Sequence, residues 1–425
     1  MRVAERDGFS GAVRIERAGV TLLEKGYGLA DRAQRVPFTP ATIVQIGSNT
    51  KDFTAVAILQ LQEAGRLSLG DSIAHYLGAV PADKRGITIR QLMNHRAGFP
   101  LGIGGDFEPV GKAAFMDTAM KTTLLFTPGR RESYSNTGFS LLAAIIEKVT
   151  GMTYDTYVQT AILAPLGLQR TGFLLPHFAP ADLAHGYRAG GADNGTMLAK
   201  PHADDGPYWN LRANGGMLST VGEMHAFYKE LFEGTKLMTP ATRAQRFNPD
   251  EPIGLAGSDG VDFFLYDRFP RMRTEIIVAS TNAESKGPAI RRALGSVLGL
   301  PSPDGGPGEE VASRPNGTPA PAALVTVLND FVATLNGGDT ATLRRFLVAH
   351  FASDPGGPTV DQRVDRLGGM HDELGTLSMD GVQAYGDGPY EMRLKSSVQG
   401  LIVVTVMADH ADPYRVHGLQ FRIAG

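Results

Sequence analysis

Alternating apolar and polar side chains predict an antiparallel hairpin at the beginning of the chain. Residues 9–16 and 20–28 are strand-like runs with apolar residues at alternate positions, as at Val13 and Ile15 in the first run and Leu22 and Tyr27 in the second. A three-residue turn that ends in glycine separates the two runs. Two further strand-like runs follow at 260–267 and 273–280.

Longer segments carry apolar residues at helical spacing. After a short apolar run at 42–46, this spacing predicts helices at 53–69, 138–149, 221–232 and 288–298. Glycine ends the helix at 138–149, and it also closes a short helical segment at 87–99. A further short helix is predicted at 239–246.

The composition changes abruptly near residue 300. Residues 301–321 are rich in Pro, Gly, Ser and Glu, so they cannot bury a core and are typical of a linker. Beyond them, the pattern predicts three helices and four strands, at 322–335, 340–351, 360–374, 377–384, 390–394, 401–408 and 414–423. We therefore predict a first domain over 1–299, a Pro/Gly-rich linker over 300–321 and a small α+β domain over 322–425.

Composition excludes several classes of function. A net charge of −3 gives no basic surface for nucleic acid, so no nucleic-acid partner is expected. The chain has no cysteine, which excludes disulfides, thiolate metal sites and cysteine nucleophiles but leaves the redox compartment open. Its ten histidines are scattered and form no H-E-x-x-H pair, so no metal site is predicted.

The sequence shows no pattern typical of a membrane segment. Residues 1–7 are charged and lack an apolar segment behind them, so they do not resemble a signal peptide. The longest apolar runs, such as 139–146 and 401–408, are far shorter than the ~20 residues that span a bilayer. We expect no membrane partner and a cytoplasmic location, or a periplasmic or secreted one if a leader was trimmed.

Ser48 and Lys51 form the first candidate for chemistry. They lie three residues apart at the beginning of a predicted helix, so one helical turn places both on the same face. A lysine that loses solvation in a cleft has a lowered pKa, and its neutral amine can then accept the serine proton. The alternative is that Ser48 only caps the helix and Lys51 is solvated, as in most chance matches to S-x-x-K.

Two Tyr-x-Asn motifs follow. Tyr134 and Asn136 directly precede a buried helix. Tyr208 and Asn210 lie in a loop rich in Gly, Pro and Asp with no helix behind it. We therefore choose the first motif for chemistry and interpret the second as a wall of the cleft that includes Trp209, the only tryptophan.

His95 lies near the end of the short helical segment at 87–99. A single histidine with no coupled partner is no indication of a base. The pattern favours a structural role for His95, as a hydrogen-bonded residue that fixes the turn at the helix end.

Taken in order, these motifs resemble the superfamily of serine β-lactamases, penicillin-binding proteins and family VIII carboxylesterases. Ser48 to Lys51 is similar to its S-x-x-K motif, and Tyr134 to Asn136, which begins 86 residues later, is similar to its Y-x-N motif. The segments 9–13, 26–30, 92–98 and 215–220 also resemble this superfamily. The resemblance covers residues 1–299. It implies an α/β (α+β) fold of the β-lactamase/transpeptidase type, in which an antiparallel sheet is flanked by helices and a cleft lies beside an inserted helical domain.

The resemblance also implies roles for these residues. Ser48 is the acylated nucleophile, Lys51 its base, Tyr134 a partner in proton transfer and Asn136 the residue that orients the acyl side of the substrate. A phenol next to a lysine ammonium is stabilised as phenolate, so we expect Tyr134 to share the relay with Lys51.

The third motif of the superfamily departs from its usual form. Family members have Lys-Thr-Gly or His-x-Gly on the strand beside the cleft, whereas the corresponding residues 253–262 include neither lysine nor histidine. The segment before residue 260 is also short, as if a strand were missing. We assign Ser258 and Gly260 to substrate binding, because the backbone there can supply an oxyanion N–H beside that of Ser48. A distant arginine, such as Arg212, Arg246 or Arg271, is the alternative source of a cation.

The C-terminal domain is similar to the ketosteroid-isomerase-like cone folds, in which three helices wrap a curved antiparallel sheet. This resemblance rests on the order of the elements and on residues 331–339, and it carries no statement about function.

The sequence thus predicts a serine hydrolase of the esterase-like, class C-like branch. It should act through an acyl-enzyme on small neutral carboxylic esters, with amides as a second class, and need no cofactor. The alternatives are a D-aminoacyl peptidase or β-lactam hydrolase of the same superfamily, and a catalytically weak binding or regulatory protein. The oligomeric state is not predicted.

Overall fold

The computed structural model describes residues 8–283, 287–300, 318–351, 359–368, 374–384, 390–398, 400–408 and 414–424. Contacts within the chain divide it into two compact units, Met1–Pro303 and Asp304–Gly425. This division falls inside the predicted linker, most of which lies outside the described residues.

A five-stranded sheet forms one side of the first unit. Its strands are β1 (Gly11–Arg17), β2 (Val20–Tyr27), β9 (Ile253–Ser258), β10 (Phe263–Phe269) and β11 (Thr274–Ser280). They lie in the order β2-β1-β11-β10-β9, and every neighbouring pair is antiparallel. The predicted hairpin is confirmed, because β1 pairs with β2 across the turn at Ala18 and Gly19.

The sheet carries a core on each face, because successive side chains of a strand point to opposite sides. Val13 and Ile15 pack on one face against Ile290 and Leu294, which lie on the helix Gly287–Leu298. On the other face, Ala12 and residues of β10 and β11 join the main core of the unit.

Leu22 does not take the buried position that alternation predicts. It is 52% exposed, and Leu23 packs against the core instead. The pairing shifts between Ile15 and Glu16, which face Leu23 and Thr21 respectively, so Leu22 has no residue opposite it. Because of this bulge, Leu23 packs against the core and Leu22 is exposed, which a simple two-residue alternation does not predict.

Helices cover both faces of the sheet and form the inserted helical part. They are α1 (Thr50–Glu63), α2 (Ala74–Leu77), α3 (Ile89–Met93), α4 (Lys112–Lys121), α5 (Asn136–Thr150), α6 (Tyr154–Val158), α7 (Ala164–Leu166), α8 (Val221–Glu233), α9 (Pro240–Arg243) and α10 (Gly287–Leu298). A π-helical turn, Gln159–Leu163, joins α6 to α7. The helix α4 was not predicted, because most of its side chains are exposed and its apolar spacing is weak.

Short strands complete this unit. They are β3 (Leu29–Asp31), β4 (Val36–Pro37), β5 (Val44–Gln45), β6 (Gly186–Tyr187), β7 (Asp193–Gly195) and β8 (Leu218–Ser219). The pairing of β5 with β8 matters for the site, because it ties the residues that precede Ser48 to the segment that contains Asn214.

Three helices and a second antiparallel sheet make up the described part of the C-terminal unit. The elements are α11 (Ala322–Asn336), α12 (Thr340–His350), α13 (Val360–Gly368), β12 (Thr318–Pro319), β13 (Leu377–Ala384), β14 (Tyr390–Ser396), β15 (Gly400–Ala408) and β16 (Val416–Ala424). The strands lie in sequence order and enclose a separate apolar core with the helices. The three helices and the strands β13 to β16 follow in the predicted order, whereas β12 lies inside the predicted linker and was not predicted. The likeness to cone folds stays a prediction.

Candidate active site

Ser48 lies in a tight turn that leads into α1. The 3₁₀ turn Gly47–Asn49 directly precedes α1, and the hydroxyl of Thr50 donates to the Gly47 carbonyl, 2.7 Å away. Gly47 has a left-handed φ of +52°, a conformation that glycine adopts without steric cost. Ser48 is half-buried, and Lys51 follows it in the first helical turn.

Lys51 is held against Ser48. Its Nζ lies 3.0 Å from Ser48 Oγ and donates to the Asn214 carbonyl at 2.6 Å. Burial lowers the pKa of Lys51 to about 7, although the carboxylates of Asp52 and Asp106 act in the opposite direction. A substantial fraction of the amine is therefore neutral near pH 7, as a base for the Ser48 hydroxyl requires.

Asn214 is a site residue that the sequence analysis did not identify. Its side-chain amide donates to Ser140 Oγ and to the Asn210 carbonyl, both at 2.9 Å, which fixes the segment on α5. The contact with Lys51 uses a main-chain carbonyl, which every residue type carries, so no sequence pattern signals it.

Tyr134 lies beside the Ser48–Lys51 pair. Lys51 Nζ is 4.8 Å from the centre of the Tyr134 ring. Burial raises the pKa of Tyr134 to about 12; a hydrogen bond with Ser48 opposes this rise and Asp52 adds to it. The expected phenolate is therefore wrong for the resting site, because desolvation and the neighbouring carboxylate outweigh the attraction of Lys51. Tyr134 is a neutral phenol that can donate a proton.

The Tyr-x-Asn loop is anchored on both sides of Tyr134. Ser135 caps α5 by accepting from the amide of Gly138 at 3.2 Å, and its hydroxyl donates to the Pro100 carbonyl. The amide of Asn136 donates to the Leu101 carbonyl at 2.7 Å. Within the described part of the chain, the buried Asn136 Oδ1 has no hydrogen-bond partner. The contact of Asn136 with substrate stays a prediction.

His95 takes the structural place that the sequence favours. Its Nδ1 accepts from the amide of Ser135 at 3.1 Å. Burial, followed by the charges of Lys51 and Arg246, lowers the pKa of His95 to about 3. The ring is therefore neutral at ordinary pH and makes its contact as an acceptor.

Residues that correspond to the third motif lie on the edge strand β9. A Cβ at position 257 would lie 2.3 Å from the Ile46 carbonyl oxygen and 2.4 Å from the Ser48 nitrogen, so only glycine fits there. A Cβ at Gly47 would lie 2.8 Å from the nitrogen of Ser258. The turn and the strand thus meet backbone to backbone. The amides of Ser48 and Ser258 lie at this contact, where two oxyanion donors are expected.

The position of Gly257 at this contact indicates which residues stand at the third motif. With Gly257 as its glycine, the motif reads Leu255-Ala256-Gly257. Leu255, in the position of the lysine, is partly buried and packs against the main core. The apolar pattern alone did not predict this strand, because its two glycines interrupt the alternation.

The structure corrects the assignment of Gly260 to substrate binding. Gly260 lies in the turn between β9 and β10 with a φ of +89°, and its amide donates to Ser258 Oγ at 3.1 Å. That donor is therefore already used within the turn. Ser258 remains the candidate on this strand, through its main-chain amide.

Trp209 is also corrected. Its side chain is only 4% exposed, and its ring packs against Phe115 with centroids 5.9 Å apart. It belongs to the main core and not to the wall of a cleft. The neighbouring Asn210 donates to the Gly105 carbonyl at 3.0 Å, which is a structural contact.

Acidic side chains surround the strand side of the site. With its amide nitrogen turned toward them, Gln45 lies 3.1 Å from both Asp259 Oδ2 and Asp262 Oδ2. Burial, followed by the charge of Asp259, raises the pKa of Asp262 well above its usual range. Burial, followed again by Asp259, also raises the pKa of Asp106. These shifts favour the uncharged forms of Asp262 and Asp106, and neither group offers a cation to an approaching anion.

The three arginines considered as replacement cations differ in availability. Arg212 is fully buried and bonded to Asp205 at 2.6 Å. Arg271 lies in the turn Pro270–Met272, after the end of β10 that is distant from Ser258. Arg246 donates to Asn94 Oδ1 at 3.2 Å and lies close enough to lower the pKa values of Asp52 and His95. It is the one of the three that lies near the site.

Neither metal-binding nor membrane-spanning features occur among the described residues. No group of three His, Cys, Asp or Glu side chains in these ranges could hold a metal ion. None of the helices described is both long and apolar enough to cross a bilayer.

The first unit of the chain matches a known family. The family model described as Beta-lactamase matches residues 2–272. The chain belongs to the beta-lactamase family. It is similar to PbpX of Bacillus subtilis, with 31% identity over 261 residues, 61% of this chain and 62% of the relative. It is also similar to the protein flp of Staphylococcus aureus, with 32% identity over 198 residues, 45% of this chain and 39% of the relative. The chain therefore spans less than two thirds of the length of these curated relatives.

Solved structures share the fold. A penicillin binding protein from Bacillus halodurans has a TM-score of 0.58 at 23% identity and covers 69% of this chain and 99% of its own. An octameric penicillin-binding protein homologue from Pyrococcus abyssi has a TM-score of 0.60 at 21% identity, and covers 97% of this chain and 90% of its own. The beta-lactamase fold is thereby established for the first unit.

Proposed function

We propose that this chain is a serine hydrolase that acts through an acyl-enzyme on Ser48 and prefers small neutral carboxylic esters, with amides as a second class. The observation that carries the proposal is the contact between Ser48 Oγ and Lys51 Nζ, 3.0 Å apart, in a setting where burial lowers the pKa of Lys51 to about 7. A serine beside a neutral amine is an activated nucleophile.

Acylation follows from these positions. Neutral Lys51 accepts the hydroxyl proton as Ser48 Oγ forms a bond to the substrate carbonyl carbon. The carbonyl oxygen becomes an oxyanion, and the amides of Ser48 and Ser258 are placed to stabilise it. The Asn214 carbonyl keeps Nζ in place, since it accepts from the amine and from the ammonium alike.

Tyr134 then protonates the leaving group. Its pKa is raised to about 12, so the phenol keeps its proton until the bond between the carbonyl carbon and the leaving oxygen breaks. The phenol donates that proton to the departing alcohol, and the Lys51 ammonium can replace it. Water then attacks the acyl-enzyme by the reverse sequence, which releases the acid and regenerates Ser48.

The preference for neutral substrates rests on the strand side. Leu255 occupies the position where the family motif has a lysine, and the carboxyl groups of Asp259 and Asp262 lie on the adjoining turn. A substrate carboxylate placed there would lose hydration without gaining a cationic partner from β9.

A second candidate is hydrolysis of a peptide or β-lactam bond. It is favoured by the relatives, since a further Bacillus subtilis protein, 26% identical over 276 residues, is named a penicillin-binding protein. A third candidate is a binding or regulatory role with weak turnover. It would follow if the presence of leucine at position 255, in place of the family's lysine, had removed activity.

The test combines a fluorophosphonate probe with a panel of p-nitrophenyl esters, D-amino-acid amides and nitrocefin, on wild type and Ser48→Ala. We expect one covalent adduct on the wild type, no adduct on Ser48→Ala, and highest turnover with short neutral esters. Folding of Ser48→Ala is checked by thermal unfolding.

Each alternative has its own outcome. A full adduct on Ser48→Ala would refute the nucleophile. Labelling together with turnover of nitrocefin or the amides, and none of the esters, would favour the second candidate. Absence of both labelling and turnover on folded wild type would favour the binding protein.

A further inference from the structure

One residue contacts both neighbours of Tyr134. The amide of Ser133 donates to the His95 carbonyl at 2.8 Å, and the amide of Ser135 donates to His95 Nδ1 at 3.1 Å. The two bonds lie on either side of Tyr134 and end on the main chain and the side chain of the same histidine. The path of the backbone through Tyr134 is therefore set by His95.

The rings of these residues are also in contact. The His95 ring lies 4.5 Å from the Tyr134 ring at an interplanar angle of 31°. Its other neighbour is Phe139 of α5, at 5.2 Å and 36°. Lys51 Nζ lies over the Tyr134 ring as well, so the imidazole, the phenol and the amine form one packed group.

Tyr134 depends on this packing more than its neighbours do. Ser135 and Asn136 are tied to Pro100 and Leu101, whereas 40% of Tyr134 is exposed. Ser48 lies close enough to Tyr134 to lower its pKa. The contacts with His95 supply the remaining restraint.

The backbone of His95 shows that its position is held by these contacts. Its φ of +55° is left-handed, which is uncommon for a residue with a side chain and persists where the surrounding structure determines it. Because Nδ1 accepts a hydrogen bond, the ring proton is on Nε2 and the imidazole is neutral.

We propose that His95 is a positioning residue, which holds the Tyr134 hydroxyl against Ser48 through its neutral imidazole ring. The inference rests on the proposed function, since Tyr134 is the group through which His95 acts. His95 itself transfers no proton, because its nitrogen that faces the loop is occupied by the amide of Ser135.

Two substitutions separate the two kinds of contact. His95→Phe keeps a ring beside Tyr134 but removes the acceptor for Ser135. His95→Asn loses the ring, yet its amide oxygen can take the place of Nδ1, and asparagine tolerates a left-handed φ. Arg96→Ala is the matched control, because the exposed Arg96 is adjacent in sequence and bonds Gly129 instead of the loop at 133–135.

The readouts are the rate of Ser48 acylation by a p-nitrophenyl ester, the separate values of kcat and KM, and hydrogen exchange of the peptide that contains residues 133–136. We expect His95→Phe to slow acylation by about 10- to 100-fold, as misplaced catalytic groups do, with little change in KM. Exchange of the amide of Ser135 should become faster. His95→Asn should recover part of both losses, and Arg96→Ala should match the wild type.

A double-mutant cycle identifies the route of the effect. If His95 acts through Tyr134, then His95→Phe should cost little when Tyr134→Phe is already present. An equal loss in both backgrounds would overturn the proposal, as would unchanged exchange at residues 133–136 in His95→Phe. If His95→Phe fails to fold, acylation at the wild-type rate in His95→Asn, which lacks the ring, overturns it.

Failure of the proposed function gives a different result. Wild type without acylation of Ser48 would refute the hydrolase. The exchange measurement would still show whether His95 holds the loop, and unchanged exchange would overturn the positioning role on its own.

Discussion

The two sides of the candidate site are built differently. On the helical side, Ser48, Lys51 and Tyr134 are connected by short hydrogen bonds and ring contacts to buried groups such as the Asn214 carbonyl and His95. On the strand side, β9 is the edge of the sheet, and its contact with the site is a close backbone approach at Gly257.

This difference separates reactivity from recognition. The helical side holds the groups that we propose activate the nucleophile. The strand side keeps the backbone that can bind an oxyanion, but it has leucine where the family motif has a cation. A site of this kind can retain acyl transfer while its preference among substrates changes.

The largest effects are expected on the helical side. Lys51→Ala and Tyr134→Phe should each slow acylation of Ser48 by about 10²- to 10⁴-fold, the range for removal of a positioned acid or base. The rate of adduct formation, followed by mass spectrometry, measures this loss. Tyr208→Phe, in the other Tyr-x-Asn motif, is the control. Greater damage from Tyr208→Phe than from Tyr134→Phe would show that the wrong motif was chosen.

The strand side should be sensitive at one backbone position. Gly257→Ala forces a Cβ into the Ile46 carbonyl and the Ser48 amide, so the oxyanion donors must move apart. We expect kcat to fall by about 10²- to 10³-fold, as when one such donor is lost. Gly295→Ala is the matched control, because a Cβ there meets no atom within 4 Å. Full activity in folded Gly257→Ala would mean that this contact does not shape the site.

Recognition of charge should change less. A charge-assisted hydrogen bond contributes about 1.5–3 kcal/mol, so its absence weakens an anionic substrate by roughly 10- to 100-fold. We expect kcat/KM for a neutral ester to exceed that for its carboxylate-bearing analogue by about this factor. A preference for the anionic ester would contradict the esterase proposal. If Arg246→Gln then removed that preference, Arg246 would be the replacement cation.

The smallest expected change concerns pH. The pKa of Lys51 is lowered to about 7 by burial, and only its neutral form accepts the serine proton. For a neutral ester, kcat/KM should therefore fall by about tenfold for each pH unit below roughly 7.

Asp52 provides a test of this assignment. Its carboxylate raises the pKa of Lys51, so Asp52→Asn should lower that pKa and move the acidic limb to lower pH. The pH profiles of wild type and Asp52→Asn measure the shift. If the acidic limb of the Asp52→Asn profile stays in place or moves to higher pH, Lys51 is not the titrating base.

The sequence by itself determined the parts of the molecule that depend on local periodicity. Ser48 and Lys51 meet because residues three apart lie on one face of a helix. The hairpin, α5 with its Gly151 end, and the order of helices and strands from residue 322 onward follow from the spacing of apolar residues and from glycine positions. The family was recognisable from the sequence because its motifs are short and continuous along the chain.

Only the tertiary structure decided the contacts between distant segments. The Asn214 carbonyl reaches Lys51 across 163 residues, and no side-chain pattern marks a main-chain acceptor. Gly254 and Gly257 interrupt the apolar pattern of the edge strand β9. Gly257 is required only because the turn before α1 packs against it. The protonation states of Lys51 and Tyr134 depend on burial, which sets the cost of each charge. Trp209 belongs to the core and His95 holds the Tyr134 loop because of neighbours that become adjacent only when the chain has folded.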